Sequence, residues 1–197
     1  MSLELLNTLG TLTTVIIVAA TAIAALVQLG HLRAGNQINA MLTIGEELSS
    51  KPFRDATQLV GQKLNAAMDN PAFREFNNEV DRGHFPPDPN PDFVELRSAA
   101  LLVGNALEEL GILVKRGIVD KDMFLDRYRD MVVRNWKRLE FSTAMAREAS
   151  GQAAIWENFE YLAVISEDWM REHPSAYPPA VRRMQLTNPW PIEAPAT

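Results

Sequence analysis

Two acidic pairs stand where helical spacing would bury them. Glu108 and Glu109 interrupt the apolar run LLVGNALEELGILV, and Asn105 lies one turn before Glu109. Glu157 and Glu160 are three apart in ENFE, close enough on a helix to face one region. A carboxylate buried on such a helix must be paired or protonated, because isolated burial of charge is very costly. Two carboxylate pairs in a helical bundle suggest a two-metal site, but that class adds Glu-x-x-His motifs. The sequence has none, and His31, His84 and His173 lack metal-ligand spacing. The expectation is a structural ion-pair network that orients the helices, with Arg134, Arg138 or Arg147 as the cation for Glu108 and Glu109.

Other chemistries have less to stand on. The absence of cysteine removes thiol catalysis. Ser98, Ser142, Ser150 and Ser166 have no histidine at a recognisable spacing, and no glycine-rich phosphate loop occurs. Asp120-Lys121-Asp122 suits a helix start better than a cation loop, and tryptophans at helical spacing suit a core. No catalytic, cofactor-binding or metal-ligating residue is therefore assigned, and no cofactor is implied. A net charge of −6 gives a nucleic-acid partner no electrostatic support.

The elements that would carry these residues begin with an apolar stretch. Residues 5–30 hold no charged side chain, and 15–27 contain only Val, Ile, Ala, Leu and one Thr. About 20 such residues in a helix rise roughly 30 Å, the thickness of a bilayer's hydrocarbon core. A cleaved signal peptide would want a positive leading region, whereas the only charge ahead is Glu4, although Ala20-Thr21-Ala22 imitates a cleavage site. A buried core helix is the other competitor, given Thr8, Thr11, Thr13 and Thr14, yet such hydroxyls bond back to helix carbonyls and are cheap in lipid. The expectation is a membrane span. Ala20 and Ala24 would let another helix approach, though chance spacing in an Ala-rich run explains them as well. Arg33, with His31 beside it, places the C-terminal side in the cytoplasm by the positive-inside rule, and the lack of cysteine fits a reducing compartment. No dense basic cluster follows to bind anionic lipid.

Beyond the span, helical spacing is nearly everywhere. HLRAGNQINAMLTIGEEL has apolar residues at Leu32, Ile38, Met41, Leu42 and Leu48, and the helix either runs on or kinks at Gly35 or Gly45. Ser50 with Pro52, Asn70 with Pro71, and Asp120 predict three helix starts. The first of these helices would bury Phe53, Ala56, Val60, Leu64 and Ala67, and the second Phe73, Phe76 and Val80. Residues 83–92 pack four prolines into six positions and predict an extended loop. From Phe93 to Arg116 an a/d stripe through Leu96, Ala100, Val103, Leu107, Leu110 and Val114 predicts a long helix, ended by Gly117. On it, Gly104 and Gly111 lie seven apart and would admit a close-packed neighbour. The next helix would bury Phe124, Tyr128, Met131, Val132, Trp136 and Leu139. Gly151 separates it from a last helix carrying Ile155, Phe159, Leu162 and Trp169, with Trp156 and Ala163 on an adjoining stripe. A proline-rich tail follows from 175, in which Trp190 is the residue able to grip a partner.

LEELGILVKRGIVD (107–120), Trp136, Arg147 and WENFEYLA (156–163), together with the span and HLRAGNQINAMLTIGEE, resemble the bacterial DUF4760 family. The resemblance extends to about His173. It implies a small bacterial membrane-anchored helical protein and brings no established activity, so no catalytic residue is carried over.

The fold expected is all-α, an N-terminal single transmembrane helix followed by a helical bundle domain. The divisions are an anchor at 1–31, juxtamembrane helices at 32–82, a Pro-rich loop at 83–92, the bundle core at 93–174 and an extended tail at 175–197. The expected function is interaction at the cell (inner) membrane, as an accessory subunit or scaffold of a membrane complex. Its partners would be the lipid bilayer, through the N-terminal helix, and a protein partner or homo-oligomer, with no nucleic acid. The alternative is a membrane-tethered enzyme, a hydrolase or a metal-dependent one, with a carboxylate-lined site in the bundle built from Glu108, Glu109, Glu157 and Glu160.

Overall fold

α1 (Leu3–Leu48) is a 46-residue helix, about 69 Å long at 1.5 Å per residue. The computed structural model describes residues 3–175, 177, 178 and 180–190, without the side chains at 5, 6 and 9. Among them the protein is all-α: α1 is followed by α2 (Lys51–Met68), α3 (Pro71–Asp81), α4 (Pro91–Lys115), α5 (Lys121–Ser150) and α6 (Glu157–Glu172). Gly35 and Gly45 do not break α1. A lone glycine costs a helix only about 1 kcal/mol.

The starts of α2, α3 and α5 follow from their caps. The Ser50 hydroxyl accepts from the Phe53 N–H, Asn70 Oδ1 from the Ala72 N–H and Asp120 Oδ1 from the Met123 N–H. Pro52 and Pro71 sit where a helix leaves N–H groups unpaired, so their lack of a donor costs nothing. The same logic moves the start of α4 to Pro91, two residues before Phe93, because Asn90 caps it through the Asp92 N–H. Each such cap contributes roughly 1 kcal/mol. Asp120→Ala is expected to lower the thermal midpoint by that increment, a few degrees in a chain of this size, read from circular dichroism.

α4 is the centre of the bundle and packs most extensively against α6 and α2. Its buried side is Leu96, Ala99, Ala100, Val103, Leu107, Leu110 and Val114, with Gly104 and Gly111 on the same flank. α2 presents Phe53, Ala56, Val60 and Leu64, α5 presents Phe124, Leu125, Tyr128, Val132 and Leu139, and α6 presents Phe159, Leu162 and Ala163. Phe73 of α3 meets Phe93 edge to face at 5.3 Å between ring centroids. Met131 and Trp136 are only partly buried.

α1 joins this core only through its last turns, where Met41 and Ile44 are buried and Ala40 and Leu48 partly so. That stripe differs from the one expected. Leu32, Ile38 and Leu42 are exposed, and Ile44 is used instead, because the bundle contacts one side of the helix and leaves the others uncovered.

Candidate functional site

The four sequence-selected glutamates do not gather at one point. Glu109 and Glu157 are exposed, while Glu108 and Glu160 are half-buried and do different work.

Glu108 caps α6 from the middle of α4. α6 starts after Trp156, which offers no side-chain cap and holds φ at +52°. A helix leaves its first N–H groups without internal partners, and burial makes leaving them unpaired costly. Here every one of the first four is satisfied. Glu157 N–H donates to the Ala154 carbonyl at 3.3 Å and Glu160 N–H to the Trp156 carbonyl at 3.0 Å. The two between them, Asn158 and Phe159 N–H, both donate to Glu108 Oε2, at 2.9 and 2.8 Å. Asn158 Nδ2 donates to Glu108 Oε1 at 2.6 Å, and Lys115 Nζ donates to Asn158 Oδ1 at 3.1 Å. A carboxylate at a helix N-terminus also meets the positive end of the helix dipole. The expected arginine partner of Glu108 is thus replaced by backbone N–H groups.

Two glycines let the joint close. A Cβ added at Gly111 would overlap the Asn158 carbonyl oxygen, and one at Gly104 would overlap the Trp156 ring. With Glu108 between them, the three residues share one face of α4 at i, i+4 and i+7. Trp156 Nε1 donates to Asn105 Oδ1 at 2.9 Å. That bond and the flat seat over Gly104 hold a backbone conformation that costs a non-glycine residue about 1–2 kcal/mol. Ile155 and Trp156 accordingly lie in the turn before α6 and not on the helix that the periodicity suggested.

Arg147, expected as a partner of Glu108 or Glu109, pairs instead with Glu160: its Nη2 lies 2.8 Å from Oε2. Arg147 Nε also donates to the Ile155 carbonyl at 2.9 Å, tying α5 to the same turn. Trp136 meets Phe159 edge to face at 5.1 Å. Arg134 is exposed, and Arg138 lies over Gly61 of α2.

The opposite side of Trp156 walls a cleft of about 340 Å³ between α3, α4, α5 and the α5–α6 turn. Its apolar lining includes Leu101, Met145 and Ile155, and its polar end is Asn77, Asp81 and Arg97. Arg97 donates to Asp81 Oδ1 at 2.6 Å and to Asn77 Oδ1 at 2.8 Å. Asp81 Oδ2 is buried without a partner, an acceptor left open beside an apolar space. Sequence reasoning missed this group, since Asp81 and Arg97 sit at a helix end and across a proline loop with no motif joining them. The Ser142 hydroxyl in the cleft donates to its own helix at the Leu139 carbonyl, 2.8 Å away. Among the described residues, no three His, Asp or Glu side chains gather as metal ligands would.

A long exposed apolar surface lies elsewhere, on α1. From Gly10 onward α1 is long and apolar enough to cross a membrane, with a mean hydropathy of 2.3 in its most apolar 18-residue window and none of that window buried. Ile16, Ile17, Val18, Ile23 and Leu26 are each 60% exposed or more.

A family model described as a domain of unknown function (DUF4760) matches residues 15–169. It therefore takes in most of this apolar surface as well as the joint of α4, α5 and α6. Comparison with curated proteins gave no match, and comparison with solved structures gave none.

Proposed function

We propose that this chain, which belongs to the DUF4760 family, is a single-pass membrane protein whose helical bundle serves interaction, as an accessory subunit or scaffold of a membrane complex. The observation that carries the reading is the wholly exposed apolar length of α1. At about 25 cal/mol per Å² of apolar surface, leaving it in water is far costlier than covering it, and a bilayer's hydrocarbon core, about 30 Å thick, covers about 20 residues of such a helix. The threonines fit that environment. Thr8, Thr11, Thr14 and Thr21 each donate to the carbonyl four residues back, so none brings an unpaired hydroxyl proton into lipid.

What favours interaction over catalysis is the use to which the bundle puts its polar groups. The groups that suggested catalysis are spent on structure: Glu108 on the start of α6, Glu160 on Arg147, and the Ser142 hydroxyl on its own helix. Arg33 just past the span favours a cytoplasmic bundle at the inner membrane.

Fractionation of cells expressing the full chain tests the anchor. The expected result is protein in the membrane pellet, resistant to alkaline carbonate and released by detergent. A fluorescent reporter fused after residue 197 is expected to glow, and an exported phosphatase at the same position to stay inactive. Release by carbonate overturns the span, and the reverse reporter pattern overturns the orientation.

A further inference from the structure

Between residues 15 and 30 the two polar residues of α1, Thr21 and Gln28, stand seven apart on one line of the helix. Asn7, Thr14, Thr21, Gln28, Gly35 and Leu42 recur every seven residues through the helix. The interleaved positions, four residues after each, include Ala25, Leu32 and Asn39. Both carboxamides of the uncharged stretch, Asn7 and Gln28, lie on this line, and a third, Asn39, continues it beyond the stretch. All of these residues are exposed. A strict seven-residue repeat gives 3.5 residues per turn, the period at which a helix keeps one face against another helix in a left-handed supercoil.

We propose that this seam pairs α1 with α1 of a second copy of the chain, parallel and in register. The proposal rests on the membrane reading above, since a shared bilayer holds both copies in the same direction. Three observations select a second copy as the occupant. First, the seam lies on the side of α1 roughly opposite Met41 and Ile44, where its own bundle sits, so the bundle does not cover it. Second, a parallel copy in register sets Gln28 against Gln28 and Asn39 against Asn39. A carboxamide both donates and accepts, so it is its own complement, and a Gln28 pair, set between Ala25 and Leu32, would fix register as polar pairs between helices do. Third, the seam carries no charge from Asn7 to Leu42 and stops where Glu46 would face its own copy. Pairing would therefore oppose no like charges along its length.

The natural absence of cysteine makes the test direct. A disulfide needs Cα atoms about 4.4–6.8 Å apart, a separation that seam positions of a paired helix reach and outward positions do not. Single cysteines would be placed in the full chain on the seam, as Gln28→Cys, Leu32→Cys, Gly35→Cys, Asn39→Cys and Leu42→Cys. Ile23→Cys, Gly30→Cys and Ala34→Cys serve as controls on the opposite side. All eight positions are exposed, and a Cβ at Gly30 or Gly35 meets nothing within 4 Å. Membranes would be oxidised with copper phenanthroline and run without reductant. The expected result is a shift to doubled mass for the seam variants and a monomer band for the controls. Cross-linking at controls and seam alike, at the controls only, or nowhere overturns the pairing. The same samples are split by carbonate extraction. Protein released there overturns the membrane reading, and the cross-linking pattern still decides the pairing separately.

Discussion

Glu108→Ala is expected to lower the stability of the bundle by about 2–3 kcal/mol, the cost of removing a charged acceptor from buried N–H groups. In a chain of this length that is a fall of roughly 5–10 °C in the unfolding midpoint. The carboxylate takes the Asn158 and Phe159 N–H groups at 2.9 and 2.8 Å, and Trp156 has no side-chain oxygen to replace it. Water cannot substitute freely, because Phe159 is fully buried against Trp136. Glu108→Gln keeps the shape but turns one acceptor into a donor that opposes the Asn158 amide, so an intermediate loss is expected. Glu109→Ala, one residue on but exposed, is expected to change stability by no more than about 0.5 kcal/mol. Unfolding of the full chain in detergent, followed by tryptophan fluorescence, reads all three. Equal losses for Glu108→Ala and Glu109→Ala would contradict the capping role.

Gly111→Ala is expected to destabilise by about 2 kcal/mol, although alanine is the better helix former by about 1 kcal/mol. The sign is decided by what the methyl meets. Its neighbour is the backbone carbonyl of Asn158, which the Glu108 cap holds in place, so the clash cannot be relieved by a rotamer change. Forcing a methyl into such a seat costs about 1–3 kcal/mol and occasionally more. The identical substitution at Gly35, where nothing lies within 4 Å, is expected to leave the bundle unchanged and to stabilise α1. The Glu108→Ala/Gly111→Ala double variant should lose less than the sum of the two, because both act on one joint. A fully additive double variant, or a neutral Gly111→Ala, would show that α4 and α6 are not held together at this point.

Much of the architecture was legible because its causes are local. Ser50, Asn70 and Asp120 announce helix starts through side-chain oxygens two or three residues from the N–H groups they accept. The buried face of α4 follows from steps of three and four, and the exposed apolar length of α1 from composition alone. Gly104 and Gly111 announced a close approach without saying of what. Only the tertiary structure decided that the neighbour is the start of α6, and that Glu108, between them, is a cap instead of half an ion pair. A carboxylate pairs with whatever donor lies nearest in space, and here the donors are backbone groups 50 and 51 residues on that every sequence possesses. The Asp81–Arg97 end of the cleft was hidden for the same reason. The seam of α1 shows the two kinds of information together. Its spacing is written in the sequence, but only the tertiary structure shows that Met41 and Ile44 dock the bundle on the other side and leave that face exposed.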